Sequence, residues 1–159
     1  MSIFPIIQQL NLQSHPEGGY YAETYRSIQM ITNNKAESRN ISTAIYYLLN
    51  EKDKSHFHRI HSDELWFFHQ GEPIEMVLLQ NEIAVTIAIG NNIENGELPQ
   101  FLIPANTWFA AKIKHDSGYS LVSCTVAPGF DFMDFELAKR EDLIQQFPAY
   151  KNIIIEFTR

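Results

Sequence analysis

Between residues 42 and 127 the chain is cut into short β-branched, aromatic and aliphatic runs at nearly regular spacing, and this punctuation limits the folds open to it. The runs fall at residues 42–49, 64–69, 74–79, 83–89, 101–103, 107–113 and 119–127, with turn signals at Gly71, Asn81, residues 90–96 and residues 116–118. Such runs suit pleated strands. Many of them joined by tight turns pack as an antiparallel sandwich or barrel. At 159 residues the chain suits one domain spanning 1–159.

The flanks read differently. Ser2 can cap a short helix whose Ile3, Ile6, Ile7 and Leu10 share one face. Residues 140–147 are helix-compatible and stop at Pro148; residues 151–157 suit either a last helix or a strand and are apolar enough to require cover. Residues 27–40 are polar and read as a loop without chemistry. Residues 128–135 read as a turn and a short strand sealing the barrel end.

Nineteen acidic against twelve basic side chains give a net charge of −7, with no run of Lys or Arg. That argues against a nucleic-acid or anionic-membrane partner. The N-terminal segment has neither a basic stretch nor a long apolar core, so the expectation is no signal peptide, no membrane span and a cytoplasmic protein. Cys124 is the only cysteine and sits mid-strand, which predicts a buried, inert thiol and no intrachain disulfide.

Chemistry concentrates in residues 55–71, which hold His56, His58, His61 and His69 with the pair Asp63-Glu64. On a regular strand His56 and His58 point the same way, and Glu64 shares their parity unless the bend at residues 60–63 resets it. Two imidazoles and a carboxylate make a facial set with open positions, suited to a divalent Fe, Mn, Ni or Zn ion. The alternative is a metal-free pocket in which His58 and Arg59 hydrogen-bond Asp63 or Glu64. His69 has the opposite parity to its neighbours Trp66 and Phe68 and reads as a surface residue. Trp66, Phe68, Trp108, Tyr20, Tyr21 and Tyr46 can wall a small-molecule pocket, with Arg59 and His58 holding a carboxylate or phosphate. The turn His15-Pro16-Glu17-Gly18-Gly19-Tyr20-Tyr21 reads either as a plain turn before a strand or as a pocket edge to which Glu17 or the tyrosines contribute.

The order His-x-His, Glu64, Gly71 and then Pro104-Ala105-Asn106-Thr107-Trp108-Phe109 resembles the two motifs of the cupin superfamily. More closely, His15-Pro16-Glu17-Gly18-Gly19-Tyr20-Tyr21, Phe57-His58-Arg59, Asp63-Glu64-Leu65-Trp66 and Val126-Ala127-Pro128-Gly129-Phe130-Asp131-Phe132 are similar to the cupin-5 group, domain of unknown function 985. The resemblance runs from about residue 3 to 147. It implies an all-β fold, a double-stranded β-helix or jelly-roll barrel with short terminal helices, paired as a homodimer around a small-molecule pocket. His56, His58 and Glu64 fall where the first motif places metal ligands. Two departures stand out: five residues separate His58 from Glu64, and the second motif offers Trp108 and Phe109 where a ligand histidine is usual.

Two functions follow as expectations. The first is a metal-independent isomerase or epimerase acting on a sugar-like or small acidic substrate, by analogy with the deoxysugar epimerases of this shape. There His58, oriented by Asp63 or Glu64, would be the base and Tyr46 or Tyr21 the acid. The alternative is a non-catalytic ligand-binding or storage-like cupin; a metal-dependent cupin enzyme comes third.

Overall fold

The computed structural model describes residues 3–32, 35–115 and 117–159; the expected Ser2 cap, the Asn33-Asn34 part of the polar loop and Asp116 of the turn at residues 116–118 lie outside them. Among the described residues three α-helices and thirteen strands are formed: α1 (Phe4–Gln9), β1 (Gln13–Ser14), β2 (Tyr20–Arg26), β3 (Met30–Thr32), β4 (Ser38–Asn40), β5 (Thr43–Asn50), β6 (Ser55–Arg59), β7 (Asp63–Gly71), β8 (Ile74–Gln80), β9 (Ile83–Ile89), β10 (Gln100–Ile103), β11 (Trp108–Ile113), β12 (Tyr119–Ala127), β13 (Glu136–Leu137), α2 (Arg140–Gln146) and α3 (Lys151–Glu156). Two antiparallel sheets carry the architecture, in the orders β1-β2-β5-β12-β7-β10 and β13-β6-β11-β8-β9. This is an antiparallel barrel, one of the two architectures that the spacing of apolar runs and turns predicts, in the jelly-roll form that the resemblance implies.

Side chains alternate across each strand, so each sheet has an inner and an outer face to cover. Between the sheets, Tyr47, Leu49 and Trp66 meet Ile74, Met76 and Phe109 in the main core. Outside the second sheet, Phe57, Val77, Leu79 and Trp108 are covered by Leu143 of α2, Ile154 of α3 and Phe157. Outside the first sheet, Leu48 and Leu121 pack with Ile6, Ile7 and Leu10 at α1. Covering both outer faces leaves the barrel interior free to hold polar side chains at one end.

Two local readings are corrected, and one left open is resolved. Residues 27–40 are not a plain loop: β3 and β4 pair as a hairpin, and Arg39 is buried against Asp134. The segment after residue 127 does not run on as a sealing strand, because Phe132–Asp134 forms a turn of 3-10 helix before the two-residue β13. Residues 151–156 resolve as helix, burying Ile154, with Phe157 buried just beyond. Asn106 takes φ 62° in the turn before β11, a conformation that Asn tolerates better than most residues.

Candidate functional site

The site begins with an irregularity in β6. Along the β6–β11 ladder His58 faces Phe109 while Ser55 faces Ala111, so three steps on one strand match two on the other. A bulge of this kind re-aims side chains locally. Ser55 and His58 therefore both turn inward, Phe57 packs outward against Phe157, and His56 is diverted to the rim. There its Nδ1 lies 2.6 Å from the Glu17 carbonyl.

The turn before β2 supplies the partner. Gly18 has φ +118°, and a side chain there would overlap the Lys54 carbonyl, so only glycine lets this turn lie flat on the start of β6. The His56 N–H donates to the Glu17 carbonyl at 2.9 Å, and the Tyr47 hydroxyl donates to the Gly18 carbonyl at 2.6 Å. Anchored this way, the Glu17 carboxylate projects into the barrel. Its Oε2 lies 2.7 Å from His58 Nε2, and its Oε1 accepts from Ser55 Oγ at 2.9 Å. His58 Nδ1 lies 2.8 Å from the His56 carbonyl. Both partners of the His58 ring are acceptors, which requires a hydrogen on each ring nitrogen and makes the ring an imidazolium.

Charge and burial compete here with a clear winner. Burial alone would raise the Glu17 carboxyl, but His58, His15 and the Ser55 hydroxyl outweigh it and hold the group at about 2. Burial would likewise lower His58, but the Glu17 carboxylate keeps it above its ordinary value. His15 goes the other way: burial lowers it, and its neutral Nδ1 accepts the Glu17 N–H at 3.2 Å.

Glu64, on β7, enters the same space under different conditions. Its donors are neutral: Trp66 Nε1–H at 2.9 Å and the Cys124 thiol. Burial is the largest influence, pushing its carboxyl up to about 7, with the charge of Glu17 adding to the rise and His58 only partly opposing it. Burial also pushes the Cys124 thiol well above its ordinary range, with Glu64 and Glu17 adding to it, so the sulfur stays protonated.

These groups line a cavity of about 460 Å³ walled by Tyr21, Tyr47, Trp66 and Phe135. Glu23, Arg26, Phe130, Asp131 and Phe132 also line it, with Glu23, Arg26 and Phe132 exposed to solvent. The turn carrying these phenylalanines is held by Asp134, which accepts from Arg39 at 2.7 and 2.8 Å and lies 3.2 Å from His61 Nδ1.

Comparison with known proteins places this barrel. The description Cupin superfamily (DUF985) fits residues 5–138. The chain belongs to this cupin family. An uncharacterised protein of Saccharomyces cerevisiae is 30% identical over 156 residues, covering 89% of this chain and 77% of its own length. A hypothetical protein from Leishmania major superposes with a TM-score of 0.93 at 34% identity, over 99% of each chain. At the level of fold alone, a cupin 2 conserved barrel domain protein from Rhodopseudomonas palustris superposes with a TM-score of 0.55 at 15% identity, over 92% of this chain and 85% of that one.

Within this cupin, five of the residues singled out in the sequence meet in the cavity: His58, Glu64, Glu17, Tyr21 and Trp66. Four others do not. Asp63 is exposed and accepts the Ala105 N–H at 2.8 Å, pinning the turn before β11 rather than orienting His58. Tyr46 faces outward into the cluster with α1, because its neighbour Tyr47 takes the inward position. Arg59 lies outside the barrel, 4.4 Å from the Trp108 ring and 2.7 Å from Glu136. Trp108 belongs to that outer cluster. His15, Tyr47, Ser55 and Phe135 are cavity or network residues that the sequence reading passed over. The signal for His15 was its place two residues before Glu17 in a glycine-bent turn.

The cupin metal set does not fit these donors. His56 is turned to the rim, His58 has both nitrogens engaged, and Phe109 stands 4.1 Å from the His58 ring, in the motif where a second-motif histidine would come. Among the described residues no group of three or more His, Cys, Asp or Glu is arranged to hold a metal ion. Two further histidines do not complete the set either: His61 meets Asp134, and His115 meets Glu72 at 2.6 Å. No helix of the described chain is long and apolar enough to cross a membrane.

Proposed function

We propose that the protein binds a small polar molecule inside the barrel and moves a proton on it, as an isomerase or epimerase does, using side chains alone. The observation that carries this reading is Glu64, a buried carboxyl on the cavity wall whose partners are all neutral, beside a separate His58–Glu17 ion pair. A group that gains or loses its proton near pH 7 is matched to proton transfer at that pH. Two titratable sites driven apart by their surroundings divide the labour. Glu64 takes or gives the proton, the role expected of His58 from the sequence. The His58 imidazolium, fixed by Glu17 and the His56 carbonyl, presents a positive field toward charge developing on a substrate oxygen. Tyr21, Tyr47 and Trp66 exclude water and position the ring or chain of the substrate.

The test is hydrogen–deuterium exchange at substrate carbon. Purified protein in D2O is incubated with a panel of sugars and small hydroxycarbonyl compounds and followed by proton NMR. The wild type should label a C–H next to a carbonyl, and Glu64→Gln should slow that labelling by about a hundredfold or more while still binding. Ligands that bind the wild type without any exchange would replace this reading with a non-catalytic binding module. The full engagement of both His58 nitrogens favours that second reading.

A further inference from the structure

The charges on the cavity wall select a class of substrate. Carboxyl groups come from Glu17, Glu23, Glu64 and Asp131, whereas the cations are His58 and Arg26. Both cations are already occupied. His58 is held by Glu17 and the His56 carbonyl. Arg26 gives Nε and Nη2 to the two Glu23 oxygens at 2.9 and 2.8 Å, and Nη1 to Asn40 Oδ1 at 2.7 Å. An acidic ligand would have to break one of these pairs, and Arg59, the expected anchor for such a ligand, lies outside the barrel.

The acidic side of the balance has capacity to spare. Among the described residues Glu64 and Asp131 have no ion pair: Glu64 accepts from Trp66 and Cys124, and Asp131 accepts the Met133 N–H. Glu64 accepts the Trp66 indole N–H and lines the same cavity as Tyr47 and Trp66, whose rings meet edge to face 5.5 Å apart. Ring faces attract cations, and more so where water is excluded. The net charge of −7 favours the approach of a cation from solution.

We propose that the molecule taken into this cavity is cationic, a small compound bearing a protonated amine that pairs with Glu64 against Tyr47 and Trp66. This rests on the cavity being the binding site, and it replaces the acidic substrate class with an aminated one. A cavity of about 460 Å³ holds a compound of the size of an amino sugar.

Glucosamine, glucose and glucuronate share one ring and differ in charge, and choline presents a cation without a ring. Each is titrated at pH 7.5 into the wild type and Glu64→Gln, with the Trp66 indole N–H followed by NMR. Glucosamine and choline should move the Trp66 signal, glucosamine should bind about tenfold or more tighter than glucose, the ratio one desolvated cation–π contact supplies, and glucuronate should bind weakest. Glu64→Gln should erase the preference. Glucose or glucuronate binding as tightly as glucosamine, or no response to either cation up to its solubility limit, would overturn the proposal. Cation binding without exchange of any C–H would sink the proton-transfer reading and leave the charge assignment standing. Exchange on neutral sugars with no preference for amines would do the reverse.

Discussion

Glu17 and Glu64 are the same residue type, both buried in one cavity, and their carboxyls are driven to opposite ends of the scale, about 2 and about 7. Burial acts the same way on both, so burial does not explain the difference. What separates them is the charge of their partners. Glu17 meets an imidazolium and a hydroxyl, whereas Glu64 meets an indole N–H and a thiol. A buried carboxyl with a charged, hydrogen-bonded partner becomes structural, and one with only neutral partners stays available for chemistry.

The largest expected effect comes from breaking the charged half. Glu17→Ala leaves the His58 ring buried without its counterion, and should cost about 3–5 kcal/mol of stability in urea denaturation. His58 should then lose the upward shift that Glu17 gives it, which a histidine-resolved NMR titration would read.

The next effect concerns the neutral half and has a definite sign. Because Glu64 is raised from 4.5 to about 7, the folded protein holds a proton that the unfolded chain releases between those values. Stability due to Glu64 should therefore fall as pH rises from 4.5 to 7, by on the order of 3 kcal/mol. Glu17 is depressed, so its contribution is complete above 4.5 and is lost as pH falls toward 2. His58 is raised, so its contribution is lost only as pH climbs beyond 6.5. His15 is lowered by burial, so its own contribution is complete above 6.5 and is lost as pH falls below that; Glu64→Gln should remove the fall due to Glu64 between pH 4.5 and 7, measured by urea denaturation at several pH values. An unchanged slope in Glu64→Gln would remove the contrast between the two carboxyls.

Smaller changes sharpen the comparison. Trp66→Phe removes the N–H that favours ionised Glu64, so the carboxyl should be pushed up further, at a cost of about 1 kcal/mol for the lost hydrogen bond. Smallest is a matched pair on β5: Tyr47→Phe should cost about 1 kcal/mol by freeing the Gly18 carbonyl, and Tyr46→Phe within about 0.5 kcal/mol. Equal losses from the two tyrosines would contradict their placement on opposite faces.

The same two tyrosines show where a sequence stops informing. The strands were legible because alternation and turn residues repeat; residues 83–89 and 119–127 match β9 and β12 end for end. Which of Tyr46 and Tyr47 faces inward was not, because both faces of β5 are covered by protein and both positions are apolar. The bulge in β6 had a similar effect, replacing the expected His56–His58 pair with Ser55 and His58. The β3–β4 hairpin escaped notice because its strands are three residues long, too short for a pattern. Glu17, Glu64 and the glycine-bent turn were legible because their residue types leave few other roles. Their division into charged and neutral halves depends on neighbours distant in sequence, such as Cys124 for Glu64 and Ser55 for Glu17.

The contrast between the two carboxyls is tested most directly by a carbon-13 NMR titration of side-chain carboxyls in glutamate-labelled protein, assigned with Glu17→Gln and Glu64→Gln. One signal, absent in Glu64→Gln, should titrate near pH 7, and one absent in Glu17→Gln should stay ionised until about pH 2. Both signals titrating together near 4.5 would mean that the two carboxyls share one environment, and the division of roles in this cavity would be wrong.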